Sequence, residues 1–108
     1  MKPISQTLTE ARATLIEKGW CQDFAETEDG KMCLAQSAWK YETEADVWTL
    51  LYTALGGKSL VTWNDTPGRT FEEVLAVYDK AIATALREER LAMVHGLMGK
   101  CGFAEPEE

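Results

Sequence analysis

Apolar side chains recur every three or four residues along three stretches of the chain, and each stretch reads as a helix. Ile4, Leu8, Ala11 and Leu15 fall on one helical face, and Gly19 is placed to stop the run, which predicts a helix over about Pro3 to Lys18. Thr43 caps a second predicted helix in which Ala45, Val47, Trp48, Leu50, Leu51, Tyr52, Ala54 and Leu55 are apolar on nearly every side, so it is central and buried; Gly56-Gly57 ends it. The third starts at Thr70 and carries the strongest period, through Phe71, Val74, Leu75, Tyr78, Ile82, Ala85 and Leu86. After the polar run Arg87-Glu88-Glu89-Arg90, Met93 and Leu97 continue the rows of Ile82 and Leu86, carrying this helix to about Met98. Such a helix is roughly 43 Å long against a radius of gyration of about 13 Å for a compact domain, so it either bends after Leu86 or projects.

The intervening segments read differently. Trp20 to Ala25 and Lys31 to Leu34 flank a loop ending in Asp29-Gly30, which predicts a short β-hairpin, and Leu34, Ala38 and Tyr41 fit a brief helix. Ser59 to Trp63 predicts a short strand or extended lead. Thr66-Pro67-Gly68-Arg69 has the proline and glycine of a type II turn, and Thr70 with Glu73 forms a capping box. The expected fold is therefore α+β: a mainly α-helical single domain of three main helices with a small β-hairpin, and a core to which Trp20, Trp48, Trp63, Tyr78 and Ile82 contribute. Residues 1–87 form its compact body, and 88–108 are a helical extension with an acidic tail.

With 108 residues, 45% of them apolar, the chain can bury a core without disulfide or metal. Its net charge of −7 disfavours binding to nucleic-acid phosphates and favours a protein partner with a basic surface. Acidic residues gather at Asp23 to Asp29, Glu42 to Asp46 and Glu105 to Glu108, although solvated loop charges look the same. No apolar run approaches the roughly 20 residues of a membrane span, and a cytoplasmic location is expected.

Candidate chemistry is sparse. Asn64, Asp65 and Arg69 stand on a turn beside Trp63 and a helix amino terminus, a setting that suits a small anionic ligand or nucleotide; the competing reading has Asn64 or Asp65 bonding to turn amides, Asp65 pairing with Arg69 and Trp63 anchoring the loop. Cys21, Cys33, Cys101 and His95 lack the close spacing of a structural metal site, so no metal or cofactor is expected. Glu72, Glu73 and Asp79 read as a solvated face with Glu73 already used in capping, and a single histidine, far in sequence from any nucleophile element such as Gly-x-Ser-x-Gly, gives hydrolase chemistry nothing to build on. Leu91, Met93, Val94, Leu97, Met98 and Phe103 are a candidate partner-binding surface, because they lie beyond the point where the domain's own core should be complete; folding back onto the body is the alternative.

The run Trp63-Asn64-Asp65-x-x-Gly68-Arg69-Thr70, followed by Glu73-Val74-Leu75 and Asp79-Lys80-Ala81-Ile82, resembles a family of small uncharacterised proteins of bacteria and bacteriophages. Gly19-Trp20 after the first helix and Cys33 opening another fit the same pattern, whereas Gln36-Ser37 replace a Gly-Ala pair. The resemblance covers about Ile4 to Leu86 and implies no activity, cofactor or catalytic residue. By analogy with small acidic phage proteins, it implies a non-enzymatic inhibitor that occludes a surface of a host defence complex, as anti-CRISPR proteins do. The alternatives are a ligand-binding or enzymatic domain using Asn64, Asp65 and Arg69, and a structural homodimer held by the carboxy-terminal helix.

Overall fold

The computed structural model describes residues 3–40 and 45–100, with the side chains of Lys40, Ala45 and 95–100 outside the description. Among the described residues five helices follow in order: α1 (Ile4–Lys18), α2 (Leu34–Lys40), α3 (Ala45–Ala54), α4 (Leu60–Asn64) and α5 (Phe71–Lys100). The largest helix contact joins α1 to α5, and the two run antiparallel, since Ser5 meets Glu89 while Arg12 meets Asp79. α3 packs on α5, α2 on α1, and α4 on α2.

The periodic rows become the buried faces. Leu8, Ala11 and Leu15 of α1 are fully buried, and the Gly19 amide, at φ 99°, closes the helix on the Leu15 carbonyl at 2.7 Å. Val47 and Leu51 of α3 meet Val74, Val77, Tyr78, Ala81 and Ala85 of α5 in one core, against which Trp20, Trp48, Trp63 and Ile82 pack partly buried. Tyr78 is wholly enclosed, and its hydroxyl lies 2.6 Å from Ser37 Oγ, which also donates to the Leu34 carbonyl. Ser37 therefore gives this core a buried polar contact.

α5 runs unbroken past Leu86, and the radius of gyration of 16.2 Å exceeds the roughly 13 Å of a compact chain this long. Its apolar stripe changes sides on the way. At 100° per residue, the row Val74–Tyr78–Ala81–Ala85 continues into Glu88 and Ala92, both exposed, whereas Leu86, Leu91, Met93 and Val94 centre on the opposite side and are exposed. Glu89 is a last tie to the body: its two carboxylate oxygens accept from the amide and hydroxyl of Ser5 at 3.0 and 2.7 Å.

Two expectations are corrected. In place of a hairpin, the described residues hold two isolated bridges, Trp20 with Met32 in parallel and Glu26 with Met32 in antiparallel sense, so Met32 sits between two segments and no ladder propagates. The Asn64 side chain takes the Leu34 amide and the Cys21 carbonyl, groups that a continuing ladder would need. The segment expected as a short strand or extended lead, Ser59 to Trp63, instead leads into and forms most of α4, where Ser59 Oγ caps the Thr62 amide at 3.3 Å. The fold is thus mainly helical, with five helices among the described residues where three main ones and the brief helix now seen as α2 were expected. No described helix is long and apolar enough to cross a membrane.

Candidate functional site

The end of α4 is a polar clasp. Asn64 is fully buried and its carboxamide makes all four hydrogen bonds available to it: Oδ1 accepts from Trp20 Nε1 at 2.6 Å and the Leu34 amide at 3.0 Å, and Nδ2 donates to the Cys21 carbonyl at 3.1 Å and Asp65 Oδ1 at 2.9 Å. Asp65 Oδ1 also accepts from the Asp23 amide at 2.8 Å, while Gln22 Nε2 donates to the carbonyls of Asn64 and Thr66. These bonds reach across to residues 20–34 and not to the amides of the local turn.

Arg69 is held locally. Its guanidinium lies 3.9 Å over the Trp63 ring, Nε donates to the Trp63 carbonyl at 3.0 Å, and Nη1 stands 3.4 Å from Glu73 Oε1. The Thr70 amide donates to Glu73 Oε1 and the Glu73 amide to Thr70 Oγ1, the reciprocal capping box; the Thr70 amide, followed by Arg69, holds the Glu73 carboxyl below its ordinary pKa. The turn closes through the Arg69 amide on the Thr66 carbonyl at 3.1 Å, with Gly68 at φ 86°. Asn64, Asp65 and Arg69 therefore do not converge on one cavity: Asn64 is enclosed, Arg69 faces Trp63 and Glu73, and Asp65 alone lines an open pocket.

That pocket is lined mostly by apolar side chains. Phe24 from the irregular segment, Trp39 from α2, Trp48 from α3 and Val61 from α4 surround a cavity of about 220 Å³, with Asp23 and Asp65 also among its lining residues. Cys33, buried, lies against its floor. Phe24 is 66% exposed and Trp39 63%, values at odds with a core role for either ring. Trp48 also lines a shallower depression with Tyr52 and Leu60, so the apolar surface continues along α3. A second groove, between the start of α1, α3 and α5, is floored by Ile4, Leu50 and Ala85 and edged by Asp46, Glu88 and Glu89.

The remaining candidates separate. Cys21 Sγ donates to the Phe24 carbonyl at 3.2 Å, and burial, reinforced by nearby Cys33, pushes its pKa up, the opposite of a reactive thiolate. No group of three His, Cys, Asp or Glu among the described residues could hold a metal ion; Cys101 and the His95 side chain lie outside them. Asp79 pairs with Arg12 of α1, at 2.9 Å from Nε. Leu91, Met93 and Val94 are exposed on α5, while the side chains of Leu97 and Met98, and all of Phe103, lie outside the described residues.

Fold and surface together define a small, mainly helical domain that carries an aromatic groove lined in part by Asp23 and Asp65. The chain belongs to DUF6197, a family of unknown function, whose model matches residues 1–84. No curated protein and no solved structure matches it.

Proposed function

We propose that the protein is a non-enzymatic binding module that recognises a segment of another protein in the groove of Phe24, Trp39, Trp48 and Val61. The observation that carries this reading is the exposure of Phe24 and Trp39 around one cavity: two large rings left out of the core, on a domain whose other tryptophans pack against it. Aromatic residues gathered in a surface pocket are characteristic anchors of protein interfaces. The net charge of −7, with Asp23 and Asp65 lining the groove and Glu26 and Glu28 lining a separate depression that shares Phe24 with it, favours a basic partner. Occlusion of a surface on a host assembly in the cytoplasm, as by an anti-CRISPR protein, is the biological form we assign to such binding; the resemblance to bacterial and phage proteins supports it.

Selection of random displayed peptides against the protein tests this reading. Peptides that bind should lose about tenfold or more in affinity when Phe24→Ser or Trp39→Ala is introduced, since each substitution removes an anchor contact. Binders that ignore both substitutions would defeat it. Self-association through α5 is a second reading, favoured by the exposed Leu86, Leu91, Met93 and Val94; sedimentation equilibrium of the Met93→Glu variant against the parent decides it.

A further inference from the structure

We infer that the groove is a receptor for one organic cation, the guanidinium of an arginine side chain presented by the partner. The inference rests on the binding reading above for what carries that arginine, and on the cavity itself for the chemistry. Three aromatic residues, Phe24, Trp39 and Trp48, line it together with Asp23 and Asp65, and no lysine or arginine lies among the lining residues. Aromatic faces attract cations through their quadrupole, and carboxylates supply the acceptors that a guanidinium, with its planar fork of donors, satisfies. A quaternary ammonium would use the rings but offer no hydrogen-bond donor to the exposed Asp23 carboxylate, and an anion would meet repulsion from both aspartates.

Size points the same way. At about 220 Å³ the cavity is smaller than the roughly 300–1,000 Å³ of small-molecule sites, which suits a single side chain better than a nucleotide or drug-sized ligand. Guanidinium is weakly hydrated and stacks on indole, so it leaves water for such a site more readily than a lysine ammonium does. The chain uses the same chemistry internally, where Arg69 lies 3.9 Å over Trp63 and beside Glu73. Of the two carboxylates in the groove, Asp65 is tied to the Asp23 amide and Asn64, a fixed acceptor, while the Asp23 side chain is exposed.

The test uses N-acetyl-arginine amide as the probe, its neutral isostere N-acetyl-citrulline amide as the control, and the indole N–H signals of Trp39 and Trp48 as the readout. Saturable shifts with a Kd of about millimolar are expected for the arginine probe, at least about tenfold weaker for citrulline, and weakened by added salt. Trp39→Ala and Asp23→Asn should each weaken the probe severalfold without changing the fold, since both side chains are exposed and asparagine tolerates the positive φ of 71° at position 23. Equal binding of citrulline, or shifts confined to other tryptophans, would overturn the assignment. Selected peptides that depend on Phe24 and Trp39 yet show no enrichment of arginine would also sink it while leaving the binding reading intact. Saturable arginine binding without any groove-dependent peptide would uphold the cation site and remove the peptide reading instead.

Discussion

The indole of Trp20 donates to Asn64 Oδ1 at 2.6 Å across 44 positions of sequence, and the same oxygen accepts the Leu34 amide at 3.0 Å. One atom thus fastens both ends of the irregular segment between α1 and α2 to the end of α4. That segment supplies Phe24 to the groove and α2 supplies Trp39, so the clasp sets the geometry of the proposed binding surface without touching a ligand.

Removing the clasp should be costly. Asn64→Ala leaves the Trp20 indole N–H and the Leu34 amide without their acceptor and is expected to destabilise the fold by about 3 kcal/mol or more, read from urea unfolding. Asn64→Asp should also destabilise, because a carboxylate cannot donate to the Cys21 carbonyl and would face Asp65. A loss under about 1 kcal/mol for the alanine variant would show that the segment is held by other means.

At Gly68 the cost is purely that of the backbone. A Cβ there meets nothing within 4 Å, so Gly68→Ala should lose roughly 1 kcal/mol through the positive φ of 86°, and Gly68→Asn less. Equal unfolding midpoints for the parent and alanine proteins would contradict the strain attributed to this turn.

Alkaline stability should depend on Tyr78. Burial raises its pKa well above the ordinary 10.0, against a smaller lowering by Ser37, so the folded state holds the phenolic proton more tightly than the unfolded state. The contribution is complete below about pH 10 and is lost as the pH rises beyond it, where the unfolded chain ionises first. Denaturant midpoints should therefore fall above that pH, and less steeply in Tyr78→Phe. At neutral pH the Tyr78→Phe and Ser37→Ala losses should add to more than the double variant shows, since the two hydroxyls are mutual partners.

Truncation after Arg90 should leave the melting temperature within about 2 °C of the parent. The buried row of α5 ends at Ala85, and Glu89, the partner of Ser5, is retained. Loss of a cooperative thermal transition would place the removed segment in the core.

What the sequence made legible is local. Thr66 to Glu73 builds its turn and capping box from neighbours, so proline, glycine, threonine and glutamate state their conformations in order. The rows Leu8–Leu15 and Val74–Ala85 show their period because each buries one face. Residues 20–34 were not legible: their backbone groups are answered by Asn64, a partner some thirty to forty positions away that leaves no periodic trace. Ser59 to Trp63 misled through its β-branched residues, although Ser59 before Leu60 was an available capping signal. Phe24 and Trp39 were missed because no local pattern separates an exposed large ring from a buried one, and only the fold places these two outside the core.

The change of sides along α5 has a mechanical consequence. Residues past Ala85 leave the core, but the backbone helix does not end, so the extension is a strut and not a tether. Whatever grips Met93 is held about 12 Å beyond the last buried residue, at a bearing fixed by helical geometry, with no slack to average over. A second binding event at the groove would then meet its target at one distance and one orientation, which narrows the set of assemblies able to engage both ends at once.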